Sequence, residues 1–199
     1  MTGRTLTQPA LPITFGDKVS SWQASIHEAR VDLEGLSFPV QKGGPVGTDR
    51  DGSDRLAERL GLEDAPAWHT NRRTVTRAGD AFVALTDAWG RIARDVLELG
   101  RREIGELGEA VGGGSSSMPH KHNPVLSVLV RRAALAAPML GATLHLAAAE
   151  QVDERADGGW HAEWDTLRLL ARRTAVAASQ TADLLDGLQV HADRMRANL

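Results

Sequence analysis

The chain has 199 residues, a formal net charge of −3 and no cysteine. Disulfides and thiol chemistry are excluded, and the mild acidity argues against a surface for nucleic acid or anionic membrane. The opening Met1-Thr-Gly-Arg-Thr-Leu-Thr-Gln lacks the apolar core of a signal peptide, and no uninterrupted apolar run approaches ~20 residues. Composition therefore predicts a soluble cytoplasmic protein of one ordinary domain, with no membrane span.

Residues 3–16 hold two prolines and three threonines and read as an irregular polar loop. Val19, Trp22, Ile26, Ala29 and Leu33 fall at helical spacing over 16–36. A Gly- and Pro-rich loop over 37–53 leads to a short helix at 54–60, closed by Gly61. The strongest pattern lies over 71–110, where Val75, Ala78, Phe82, Leu85, Trp89, Ile92, Val96 and Leu99 form a near-heptad stripe. At 1.5 Å per residue such a helix reaches ~60 Å if unbroken, a length that predicts covering helices from other subunits. Gly79, Gly90 and Gly100 leave open a bent or interrupted helix instead. Two further helices are expected: 124–150 with a kink at Pro138 and close approach at Gly141, and 161–188. No run alternates like a strand. The fold class is all-α, a long-helix bundle. The abrupt first and last residues give the look of a piece of something longer.

Residues 112–124 read Gly-Gly-Gly-Ser-Ser-Ser-Met-Pro-His-Lys-His-Asn-Pro. Glycine and serine alone describe a flexible linker. Met118-Pro119 stiffens the backbone, Lys121 adds a cation and Asn123 an amide, and Pro124 suits a helix start. Together they describe a loop closing over an anion. A serine needs a nearby cation and backbone N–H donors to act as a base, and the loop offers both. It is neither a P-loop nor a hydrolase elbow, since Gly-Lys-Ser/Thr and Gly-x-Ser-x-Gly are missing. A second polar segment, residues 153–164, combines Arg155, His161 and Glu163 with Trp160 and Trp164. It reads as salt-bridged helix ends with packed tryptophans, His161 serving as a cap, a core residue or an acid–base group.

These segments together resemble one family. Gly114-Ser115-Ser116-Ser117-Met118-Pro119-His120-Lys121-His122-Asn123-Pro124 looks like the Gly-Ser-Ser-x-Met-Pro-x-Lys-x-Asn loop of the fumarase/aspartase superfamily. Residues 3–16 resemble its other substrate loop, and Gly43-Gly44-Pro45-Val46-Gly47-Thr48 resembles its Gly-Gly-x-x-Gly-Thr turn. Trp68-His69-Thr70, Glu154-Arg155, Gly159 to Trp164 and the ending at 194–199 look most like the branch that cyclises 3-carboxy-cis,cis-muconate. The resemblance implies a homotetramer built through the central helices, each site drawing on three subunits, and a small polycarboxylate substrate. Ser115 would be the catalytic serine. Lys121 and Asn123 would bind a substrate carboxylate, with Thr5 and Gln8 supplied by another subunit and Ser116, Arg155 and His161 also binding substrate. No metal or organic cofactor is implied. Leu6 stands where fumarases carry histidine, and His122 where the cycloisomerase branch commonly has arginine. Family members are about twice this length, so 1–199 reads as the central helical domain, with the N- and C-terminal family domains absent. Two alternatives stay open: a lyase for a succinyl- or nitrosuccinate-type substrate, and an inactive truncated assembly module.

Overall fold

A computed structural model describes residues 1–110, 112–114, 117–118 and 121–199. The chain divides into two compact units: Met1–Ala29, Leu85–Leu135 and Thr174–Leu199 form the first, and Arg30–Ala84 with Ala136–Arg173 form the second. It is mostly helical, but the all-α expectation needs correction, because three two-stranded ladders accompany the helices among the described residues.

The first correction is at the start. Residues 3–16 are largely a hairpin, β1 (Thr2–Thr5) antiparallel to β2 (Gln8–Pro12), joined by Leu6 and Thr7. Strand β2 is exposed throughout, and Pro9 and Pro12 have no N–H to offer a neighbouring strand. Helix α1 (Phe15–Glu34) begins at a reciprocal cap. The Asp17 carboxylate accepts from the Thr14 N–H and hydroxyl, both at 2.8 Å, and the Asp17 N–H donates to Thr14 Oγ1 at 3.0 Å.

After α1, β3 (Val40–Gln41) pairs in parallel with β4 (Asp64–Ala65), and α2 (Ser53–Leu60) lies between them in sequence. Gly61 closes α2 in the left-handed region, φ 66°, as its position predicts. Helix α3 (Arg73–Leu99) has 27 residues, far fewer than expected. Gly100 stops it: a Cβ there would lie 2.8 Å from the Val96 carbonyl oxygen. A turn follows, with Gly105 at φ 65° and the Glu106 N–H returning to the Leu99 carbonyl at 2.8 Å. Gly79 and Gly90 do not interrupt α3. They admit neighbours instead, since a Cβ on Gly90 would sit 2.3 Å from the Ala134 Cβ within the first unit.

Helix α4 (Val125–Ala149) runs through Pro138, and α5 (Gly158–Asp186) begins earlier than predicted. The chain closes with β6 (Leu188–Val190), antiparallel to β5 (Leu107–Glu109), and α6 (Ala192–Ala197). The α3 stripe is mostly buried by this chain's own elements. In the first unit Ile92, Val96 and Leu99 pack with Trp22, Leu107, Leu184 and Met195; in the second, Val75 packs with Ala137, Leu144 and Leu170. Each such side chain contributes about 1.5–3 kcal/mol when fully buried. The apolar face left uncovered belongs to α4, where Val128, Leu135, Met139 and Leu146 are each more than half exposed. By length and hydropathy α4 is also the one described helix sufficient to cross a membrane, a test that a packed core helix passes equally. It nevertheless carries Arg131 and Arg132, and Val130, Ala133, Ala137, Leu144 and Ala147 are buried in protein packing.

Glu106 fixes the first unit. Its side chain is fully buried and binds Arg4 of β1 through two bonds, at 2.8 and 3.1 Å, and accepts from the Asn198 amide at 2.9 Å. Burial pushes the carboxyl up, but the hydrogen bonds from Arg4 and Asn198 and the Arg4 charge outweigh it, leaving it below the ordinary value. A carboxyl depressed in the fold adds stability above the ordinary carboxylate range, and that stability is lost as pH falls through the folded value. Thermal melts from about pH 7 to pH 3 are therefore expected to show the wild type losing stability on acidification. Glu106→Gln should melt lower at neutral pH and respond less to acid.

Candidate functional site

Strand β5 delivers the chain into the glycine–serine segment. Gly113 and Asn123 then form an isolated antiparallel bridge, each N–H donating to the other's carbonyl at 2.9 Å. The bridge leaves no room for a side chain at Gly113, where a Cβ would lie 2.6 Å from Val125 Cγ2. Just beyond it α4 starts, and its first amides are already occupied. The Glu109 carboxylate accepts from the Leu126 N–H at 3.0 Å and the Ser127 N–H at 2.8 Å, satisfying orphan donors and opposing the helix dipole. Lys121 is exposed, its N–H donating to the Met118 carbonyl at 3.0 Å, and the described residues give its ammonium no ion pair. Ser115 and Ser116 lie outside the described residues.

Thr5 and Gln8 flank the hairpin turn, paired across it and exposed. Within the first unit, Thr5 lines a cavity of about 670 Å³ together with Arg4, Lys18 and Arg94. Asn123 lines a separate one of about 670 Å³ with His122, Gln189 and His191. No hydrogen bond among the described residues joins Thr5 or Gln8 to Lys121 or Asn123.

The second unit carries the other candidates. Arg155 donates to the Gly44 carbonyl at 2.9 Å, and its guanidinium lies 5.5 Å from the Trp160 ring. It thus holds the Gly43–Thr48 turn while staying exposed. His69 is buried beneath that turn, where a Cβ on Gly43 would approach its Nε2 to 2.9 Å. The His161 Nδ1–H donates to the Asp157 carbonyl at 2.7 Å, and the residue is exposed. Its ring lies against Trp164, with centroids 4.9 Å apart.

Beneath them is an ion pair that the residue spacing did not reveal. Arg72 binds both Glu163 oxygens, at 2.5 and 2.8 Å, donates to the Trp68 and His69 carbonyls, and lies over the Trp68 and Trp160 rings. The Trp160 indole N–H donates to the His69 carbonyl at 2.6 Å. The structural reading of 153–164 is thereby supported for Trp160 and Glu163. Glu109 was also missed, since its partners lie 17 and 18 positions further on.

A family model described as Lyase matches residues 1–138. The chain belongs to the fumarase/aspartase superfamily of lyases. Nitrosuccinate lyase of Streptomyces davaonensis is 44% identical over all of this chain and 46% of its own length. The 3-carboxy-cis,cis-muconate cycloisomerase of Bradyrhizobium diazoefficiens is 42% identical, again over the whole chain and 47% of the relative. The crystal structure of the 3-carboxy-cis,cis-muconate lactonizing enzyme from Pseudomonas putida superposes with a TM-score of 0.91 at 33% identity, covering all of this chain and 46% of that one. The chain thus spans about half the length of the curated relatives it matches.

The buried pair Arg72–Glu163 is a test of the second unit. Arg72→Met strands the Glu163 carboxylate and is expected to cost about 3–5 kcal/mol in urea unfolding. Arg72→Met combined with Glu163→Leu should recover most of that loss, because a well-packed apolar pair replaces the charges without stranding either.

Proposed function

We propose that this chain supplies part of the active site of a cofactor-free enzyme that makes or breaks a bond β to a carboxylate, and that its reaction is cyclisation of 3-carboxy-cis,cis-muconate to 4-carboxymuconolactone. That reaction belongs to aromatic-compound degradation by the β-ketoadipate route. The supporting observation is the bridge at Gly113 and Asn123, which pins the serine-bearing loop at its base with Lys121 exposed inside it. Because Glu109 already answers the α4 N-terminus, Lys121 and the Asn123 amide are left to hold a substrate carboxylate.

In lactonisation a substrate carboxylate oxygen bonds to the ring-closing carbon, and the alkene electrons pass to the carbon next to a second carboxylate. Ser115 delivers the proton that this carbon takes up, and removes it in the reverse direction. Thr5, Gln8, Ser116, Arg155 and His161 bind the remainder of the substrate. The exposed α4 face of Val128, Leu135, Met139 and Leu146 supports a homotetramer whose sites are completed by neighbouring subunits.

A second reading has support of its own in the 44% identity to nitrosuccinate lyase. There the same serine takes a proton from the carbon beside a carboxylate as nitrite leaves the adjacent carbon. Assaying the whole protein with both acids separates the two, and turnover of neither refutes both. In either case Ser115→Ala is expected to reduce kcat by at least about 10³-fold, with the mass measured by light scattering unchanged. Near-normal turnover in that variant would remove Ser115 from the mechanism.

A further inference from the structure

The turn closing the β1–β2 hairpin is built from residues ill suited to it. Leu6 and Thr7 both have positive φ, 49° and 69°, between the paired Thr5 and Gln8. A two-residue hairpin turn with both φ values positive ordinarily takes Asn-Gly. A leucine there is uncommon and a β-branched threonine is a true outlier. Packing within the chain does not compensate the strain. Leu6 is 96% exposed, and the Thr7 hydroxyl receives only a long contact of 3.5 Å from the Gln8 amide.

The tip is also uncharged. Arg4, the hairpin's one basic residue, is drawn inward to Glu106 by two hydrogen bonds. What remains at the end is two hydroxyls, one amide and the Leu6 isobutyl group. Such a tip cannot neutralise a carboxylate. It can cover carbon.

We propose that Leu6 is a specificity-determining residue whose side chain packs against the uncharged hydrocarbon skeleton of the substrate, the strained turn serving to present it. The inference rests on the proposed reaction and deepens it: Lys121 and Asn123 select for a carboxylate, and Leu6 selects for the carbon framework beyond it. A longer unsaturated or cyclic acid gains from the contact, whereas a four-carbon acid gains little.

The test uses the whole protein with 3-carboxy-cis,cis-muconate and nitrosuccinate as substrates. Leu6→Ala should lower kcat/KM for the carboxymuconate by about 10–200-fold, the range for lost apolar contact in a pocket. It should change nitrosuccinate turnover far less, and Leu6→Met should restore most of the loss. The double variant Leu6→Asn with Thr7→Gly, which suits the turn, should melt several degrees higher while losing carboxymuconate turnover as Leu6→Ala does. Unchanged kcat/KM, an equal loss for both acids, or a lower melting temperature in the double variant overturns the inference alone. A wild type that turns over nitrosuccinate but not carboxymuconate, or neither acid, overturns the proposed cyclisation, and this contact falls with it.

Discussion

A carboxylate shut away from water needs donors held firmly in place, and Glu106 draws its donors from distant parts of the chain. Arg4 comes from the first strand and Asn198 from close to the last residue. The Glu106 main chain meanwhile binds Leu99 at the end of α3 and the His191 N–H after β6. One buried charge thereby fixes the hairpin, the end of a long helix and the terminal segment together. It also determines what the hairpin displays, because the guanidinium that satisfies Glu106 is withdrawn from the tip. Arg72 and Glu163 do comparable work in the second unit, where the carbonyls before α3 and the start of α5 close around one guanidinium.

The substrate loop inherits its constraints from the same kind of local chemistry. Glu109 ends a strand and caps the helix beyond the loop, so a single side chain relates the two flanks. Gly113 has to be glycine for the bridge to close against Val125. The loop's flanks are consequently specified by packing and by a cap, independently of any ligand.

How much of this the sequence disclosed depended on the range of each interaction. Helices α1, α2, α3 and α5 were legible because burial on one face imposes a 3.6-residue period, and α2 ended at Gly61 where a left-handed cap belongs. The end of α3 was misjudged because Ile104 and Leu107 prolong the apolar pattern past Gly100, while Gly105 turns the backbone. The hairpin was missed altogether. Its second strand is exposed and proline-bearing, its turn lacks Asn-Gly, and its orientation depends on a partner 102 positions away. The loop motif was readable because its residue types are unusual in combination. The Arg72–Glu163 pair, 91 positions apart, had no local mark. The uncovered α4 face was hidden for another reason: a helix apolar on most sides does not declare which side is free.

Strand β2 has a consequence of a different kind. A fully exposed edge strand is normally a template on which a stray polypeptide adds itself, backbone to backbone, as the first step toward aggregation. With Pro9 and Pro12 among its five residues, β2 is short of the N–H groups that such growth requires. The hairpin can therefore stand in water as the chain is synthesised and folds without seeding intermolecular sheets, and a partner that reaches it must recognise side chains instead of joining a ladder.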